Sequence, residues 1–215
     1  MGLVMTDDAS ETDDLLRRAK AGDERALAAV FTHYRERLKR MVRLRLDRRL
    51  SGRVDASDVL QEAYLEAYKR LGEYSEKEMP FFLWLRLVTG QKLTDVHRHH
   101  LGAKMRDAGQ EVSLYRGALP QATSASLAAH LLGKMTSATQ AAIRAEHKLL
   151  VQEALNSMDP LDREVLVLRH FEHLSNDETA LTLGLKKSTA SQRYIRALKR
   201  LKEILSSIPG LRDNV

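Results

Sequence analysis

Between residues 24 and 46 the apolar side chains Leu27, Phe31, Tyr34, Leu38 and Met41 return at steps of three and four. They therefore lie along one face of a helix whose other faces are rich in arginine. The same spacing returns in Leu60, Ala63 or Tyr64, Ala67 and Leu71, and again in Phe82, Leu85, Val88 or Thr89, Lys92 and Val96. No alternation of period two runs long enough to build a strand, and only four prolines interrupt the chain. The pattern predicts an all-α protein, with helices over 15–20, 24–46, 58–71 and 81–100 and a loop over 72–80.

The period is lost over residues 107–140, where Ala, Ser, Thr, Gly and Gln dominate around Pro120. That is the composition of a flexible linker, with room for a short helix at 127–132. Helical patterning resumes near Ala142, with Ile143, Leu149 or Leu150, and Leu155 facing inward. The chain thus reads as two small helical domains joined by a flexible linker. The segments are an acidic N-terminal tail (1–14), a first domain (15–105), the linker (106–142), a second domain (143–207) and a C-terminal tail (208–215). With 215 residues in all, each domain folds on a small core.

Charge is distributed in blocks within a formal net charge of +6. Bases dominate residues 17–53, acids dominate 55–78, and 186–202 is purely basic. Such blocks imply one polyanionic and one basic partner surface. The chain has no cysteine, which excludes a disulfide framework, a thiolate metal site and a cysteine nucleophile together. Residues 1–14 carry Asp7, Asp8, Glu11, Asp13 and Asp14 without a base, the reverse of a signal peptide, and no apolar run is long enough for a membrane span. The expected location is cytoplasmic, without membrane insertion.

The most specific local pattern lies near the C-terminus. Asp159-Pro160 opens a helix, because Asp caps it and Pro at the first helical position gives up no needed donor. Leu161, Val165 and Leu168 form its face. Ser175-Asn176-Asp177-Glu178 is a capping box, and Gly184 suits the left-handed residue that ends a helix. A last helix follows from Lys187 to about Leu205. A short helix, a glycine turn and a second helix with small Ala180 at the crossing make a helix-turn-helix. On the last helix Ala190, Tyr194 or Ile195, and Leu198 face inward. Lys187, Ser188, Ser191, Gln192, Arg193 and Arg196 face outward, where Arg and Gln are able to make paired hydrogen bonds to base edges. Lys199 and Arg200 lie further along and suit phosphates.

Together with this motif, residues 55–65 (Asp-Ala-Ser-Asp-Val-Leu-Gln-Glu-Ala-Tyr-Leu) resemble the second segment of bacterial RNA polymerase sigma factors, in the extracytoplasmic-function (ECF) group of the sigma-70 family. Residues 15–34, with Ala21-Gly22-Asp23, resemble that group's opening helices. Residues 82–99 resemble its promoter-melting helix, and 155–205 its promoter-reading domain. The likeness covers most of 15–105 and 143–205, with the segments in the family's order.

The resemblance implies an initiation factor, not itself an enzyme, that binds core RNA polymerase, recognises promoter minus-35 and minus-10 elements and promotes melting. It makes 15–105 the polymerase-binding and minus-10 domain, with Asp55, Asp58, Gln61, Glu62 and Leu65 docking on polymerase. Asp58, Gln61, Glu62 and Leu65 also share one helical face. Minus-10 contacts fall on Tyr74, Gln91, Lys92, Asp95, Arg98 and His99, around a loop pocket for an unstacked base. Minus-35 contacts fall on Lys186, Lys187, Ser188, Thr189, Ser191 and Gln192, and on Arg193, Arg196, Lys199 and Arg200. Trp84 is read as core. Gly90-Gln91 stands where the family commonly has Arg-Asn, Lys186 where a capping serine is often found, and Ser191 where lysine is frequent.

Core polymerase, promoter DNA and an anti-sigma protein are the implied partners, and no cofactor is expected. Asp95, His97, His99 and His100 do not converge on one metal ion, because neighbouring and alternate positions on a helix diverge. The alternative reading is a two-domain helix-turn-helix regulator that acts without docking on core polymerase.

Overall fold

The computed structural model describes residues 5–50, 52–101, 122, 124–132 and 141–207. Among the described residues the chain is helical, without strands. It divides into unit 1, residues 1–43 and 50–105, and unit 2, residues 44–49 and 106–215.

Unit 1 contains α1 (Met5–Lys20), most of α2 (Glu24–Arg45), α3 (Ala56–Arg70) and α4 (Phe81–Leu101). Helix α1 starts ten residues before the expected Leu15. Its acids fall in the early turns and Arg17, Arg18 and Lys20 in the last, so the charge order suits the helix dipole from end to end. Asp23 caps α2, its Oδ1 accepting from the Arg25 and Ala26 N–H groups at 3.0 and 3.1 Å. Leu27, Phe31, Leu38 and Met41 are buried as the spacing predicts.

Helix α4 departs from the expected face. Every residue from Phe81 to Arg86 is buried, and further along Thr89, Leu93 and His97 turn inward, whereas Lys92 and Val96 are only half-buried. A helix apolar all round at its start sits inside a core, so its sequence gives no preferred direction there. Lys92 instead pairs at the surface with Glu66 at 3.4 Å and Asp95 at 3.8 Å. Aromatic rings close the core: Phe31 meets Tyr64 edge-on with centroids 5.2 Å apart, and Phe81 stacks on Trp84 at 5.4 Å. Trp84 is buried.

Unit 2 contains α5 (Ser124–Leu132), α6 (Ala141–Asn156), α7 (Pro160–Leu166), α8 (Asn176–Leu183) and α9 (Lys187–Ser207). Leu127, Val151, Leu155, Leu166, Phe171, Ala197, Leu201 and Ile204 share its core, with Leu44 from residues 44–49. Arg45, in the same segment, is fully buried. Its Nε donates to Glu172 Oε1 at 2.9 Å, and Nη2 reaches Glu172 and Glu164 at 2.5 Å each. Burial opposes the Arg45 charge, and the two carboxylates outweigh it, holding the guanidinium above its ordinary value.

Helix α7 continues as one π-helical turn, Val167–Phe171. The Glu172 N–H donates to the Val167 carbonyl at 2.9 Å and the Leu174 N–H to the Leu168 carbonyl at 2.8 Å. His173 adopts φ +57° between them.

Candidate nucleic-acid and polymerase interfaces

The helix-turn-helix is built by local chemistry. Asp159 Oδ1 accepts from the N–H groups of Leu161 and Asp162 at 2.9 and 3.0 Å, which starts α7 with Pro160 in the first turn. At α8 the Glu178 N–H donates to Ser175 Oγ at 3.1 Å while Glu178 Oε2 accepts from the Ser175 N–H at 2.7 Å. Two terminal donors are thereby satisfied reciprocally. The helix ends on Gly184, left-handed at φ +62°. The Leu185 N–H then returns to the Ala180 carbonyl at 2.8 Å and the Gly184 N–H to the Leu181 carbonyl at 3.2 Å, the paired bonds of a Schellman turn. Ala180 is buried.

Helix α9 turns Ala190, Ala197, Leu201 and Ile204 inward, with Tyr194 and Leu198 partly buried. Ile195, one of two candidates for an inward position, is 53% exposed, since 100° per residue carries it to the outer side with Ser188, Ser191 and Gln192. Those three, with Lys186, Lys199 and Arg200, are exposed, and Thr189 is half-buried. Lys187 is exposed and pairs with Asp177 at 2.6 Å. Arg200 reaches Glu203 at 3.2 Å.

The two remaining arginines do not stand free. Arg193, 24% exposed at its side chain, pairs with Asp162 at 2.5 Å and Asp159 at 3.3 Å. Arg196, 62% exposed, places Nε on Asp162 Oδ2 at 2.5 Å and Nη2 on Oδ1 at 2.8 Å. Asp162 itself is 7% exposed at its side chain. Burial acts to raise its pKa, but the hydrogen bonds from Arg196 and Arg193 outweigh burial and hold it below the ordinary carboxylate value. The sequence reading missed Asp162, because its partners lie about thirty residues away in the chain.

In unit 1, α3 presents its expected face. Asp58, Gln61 and Glu62 are exposed, and Leu65 is 55% exposed, an apolar residue beside acids. Asp55 caps this helix, its Oδ1 accepting from the Ser57 N–H at 3.1 Å, and Asp58 Oδ2 accepts back from the Asp55 N–H at 2.9 Å. Two of the named docking residues therefore also hold the helix start. Tyr68, absent from the sequence reading, extends the exposed face one turn on and donates to Glu24 Oε1 at 2.7 Å.

Of the residues assigned to minus-10 DNA, Gln91, Asp95, Arg98 and His99 are exposed and Lys92 half-buried. Gln91 Oε1 accepts from Arg70 Nη1 at 2.7 Å, and Asp95 lies between Lys92 and Arg98. Tyr74 is placed differently from an open pocket wall. It is 6% exposed, edge-on to Phe81 at 4.9 Å and tilted against Trp84 at 5.4 Å, with Lys20 Nζ 4.7 Å from its ring centroid. Distant aromatic partners draw it into the core. Among the described residues no group of three or more His, Asp or Glu lies close enough to hold a metal, and no helix is long and apolar enough to cross a membrane.

These features define a two-unit helical protein that joins a helix-turn-helix to a separate helical surface of acidic and apolar residues. Residues 30–101 match the family model described as Sigma-70 region 2, and residues 148–201 the model described as Sigma-70, region 4. The RNA polymerase sigma-E factor of Streptomyces avermitilis is 33% identical over 154 residues, covering 72% of this chain and 73% of that protein. The ECF RNA polymerase sigma factor SigD of Mycobacterium tuberculosis is 29% identical over 199 residues, 93% and 86% of the two chains. The structure of CnrH in complex with the cytosolic domain of CnrY shares the fold, with a TM-score of 0.55 at 20% identity over 92% of this chain and 98% of that one. The chain belongs to the ECF sigma factors of the sigma-70 family. It is a promoter-recognition factor acting with core RNA polymerase, and the alternative of a regulator independent of polymerase is not favoured.

Proposed function

We infer that the two units divide the work of transcription initiation. The exposed face of α3, from Asp58 through Leu65, docks on core polymerase. The outer side of α9, from Lys187 to Lys199, reads the minus-35 element, and Gln91, Lys92, Asp95, Arg98 and His99 on α4 follow the minus-10 element. The observation that carries this reading is α9 itself. The Schellman turn at Gly184 leads into a helix whose outer side presents Ser188, Ser191 and Gln192 together in the first turns, where a helix entering the major groove meets base edges. Lys199 and Arg200 one turn later suit phosphates.

In this reading residues 15–105 serve polymerase and the minus-10 element, 143–207 serve the minus-35 element, and 106–142 tether them. The protein is not an enzyme by itself, and it acts in the cytoplasm, where polymerase and template are found. Core polymerase and promoter DNA are its partners, with an anti-sigma protein as the regulatory one.

Transcription in vitro with core polymerase over a randomised promoter library tests the proposal. Enrichment of two spaced elements, dependent on the added chain, is the expected outcome. Transcripts that appear equally without it, or DNA binding that is indifferent to polymerase, would overturn the reading.

A further inference from the structure

Arg196 is more than half exposed, yet one edge of its guanidinium is committed. The group has two edges able to make parallel hydrogen bonds, the side edge Nε/Nη2 and the end edge Nη1/Nη2. The side edge lies on Asp162, with Nε 2.5 Å from Oδ2 and Nη2 2.8 Å from Oδ1. Asp162 is anchored beneath it: the side chain is 7% exposed, and its backbone N–H is held by the Asp159 cap. Arg193, three residues earlier on the same flank of α9, adds a bond to Asp162 Oδ1 at 2.5 Å. This second arginine keeps the carboxylate from swinging toward solvent.

A buried carboxylate that holds the side edge fixes the plane of the guanidinium and leaves the end edge as the outward one. That edge matches the O6 and N7 acceptors of guanine in the major groove. Preorganisation also removes the rotamer freedom that a long arginine otherwise loses on binding. Asp162 works in the opposite direction on phosphates, since an anion one bond from the guanidinium weakens its pull on a second anion.

We propose that Asp162 is a positioning residue that holds Arg196 end-on for one guanine of the upstream promoter element, while Arg193 braces the carboxylate. The proposal rests on α9 being the minus-35 reader. It makes Arg196 a source of sequence preference rather than of general affinity, and it removes Arg193 from the base-reading set.

The test is the base-preference profile of holoenzyme over a library randomised in the upstream element, at one fixed salt concentration, for wild type, Asp162→Asn, Arg196→Lys and the double variant. Core-polymerase binding and thermal unfolding are measured on the same preparations. Wild type is expected to favour guanine at one position by roughly 5- to 150-fold. Asp162→Asn and Arg196→Lys should each flatten that position while leaving the others, and the double variant should flatten it no further. Arg196→Lys keeps a positive charge beside Asp162 and so reads the base contact even if Asp162→Asn unfolds unit 2. A profile unchanged in both variants, or a uniform fall at every position, would overturn the proposal. If wild-type holoenzyme enriches no upstream element at all, the assignment of α9 fails first, and the two failures are told apart.

Discussion

The side-chain amide of Asn176 donates to the main-chain carbonyl of Lys187 at 3.0 Å, joining the first turn of α8 to the first turn of α9. Lys186, before that turn, has no short oxygen-bearing side chain with which to cap the helix. The Lys186 carbonyl accepts from the Ala190 N–H at 3.0 Å, and the lateral bond from Asn176 fixes the entry to α9 from its neighbour. The geometry of the reading helix thus depends on how α8 begins and ends.

Substitutions at the two ends of α8 should accordingly cost stability in unit 2. Ser175→Ala removes one half of the capping box and should cost about 0.5–2 kcal/mol. Gly184→Val places a β-branched residue at φ +62° and should cost more than Gly184→Asn, because asparagine tolerates the left-handed region. Urea unfolding of the full chain, followed by circular dichroism, gives the order of the three.

On α3, Glu62→Lys and Leu65→Asp should weaken binding to core polymerase by reversing a charge and by removing an exposed apolar contact. Tyr68→Phe deletes only the hydroxyl bond to Glu24 and should change binding little. Competition for core polymerase against the wild-type chain ranks the three, and DNA contacts of unit 2 should be the same in all of them.

Two substitutions on α9 should separate reading from affinity. Gln192→Ala should lower discrimination at one base position by about 1–3 kcal/mol, whereas Lys199→Ala should weaken binding evenly across sequences and reduce the salt slope by about one. Holoenzyme binding to duplexes at several salt concentrations checks both.

Tyr74 provides a pH test. Burial first, then the nearby acids Glu76 and Asp13, raise its pKa to about 12. The folded value lies above that of an unfolded tyrosine, near 10. The stability tied to the neutral ring is therefore complete below pH ~10 and is lost as pH rises through the folded value. Ultraviolet titration should show a late phenolate that is absent in Tyr74→Phe.

The sequence made some of this legible and hid the rest for physical reasons. Asp159-Pro160, Ser175 with Glu178, and Gly184 act on their own backbone within a few residues, so the sequence pattern alone located the helix-turn-helix. The outward face of α3 was equally readable, because acids and an exposed leucine at helical spacing have no second interpretation as core. Helix α4 was harder: Phe81 to Leu85 are all apolar, and without a polar side the inward direction passed to Thr89, Leu93 and His97 instead of Lys92 and Val96. Tyr74 looked available in a polar loop until Phe81 and Trp84 reached it. Arg193 and Asp162 depended on pairing across about thirty residues, which periodicity does not record.

The π-helical turn at Val167–Phe171 has a consequence for how this module tolerates insertions and deletions. Such a turn accommodates one residue more than the regular helix around it. Removing a single residue there would restore ordinary winding and turn everything downstream by about 100° about the helix axis. Length at this point is consequently as constrained as chemistry: a lineage can exchange the side chains of those five positions far more easily than it can drop one of them.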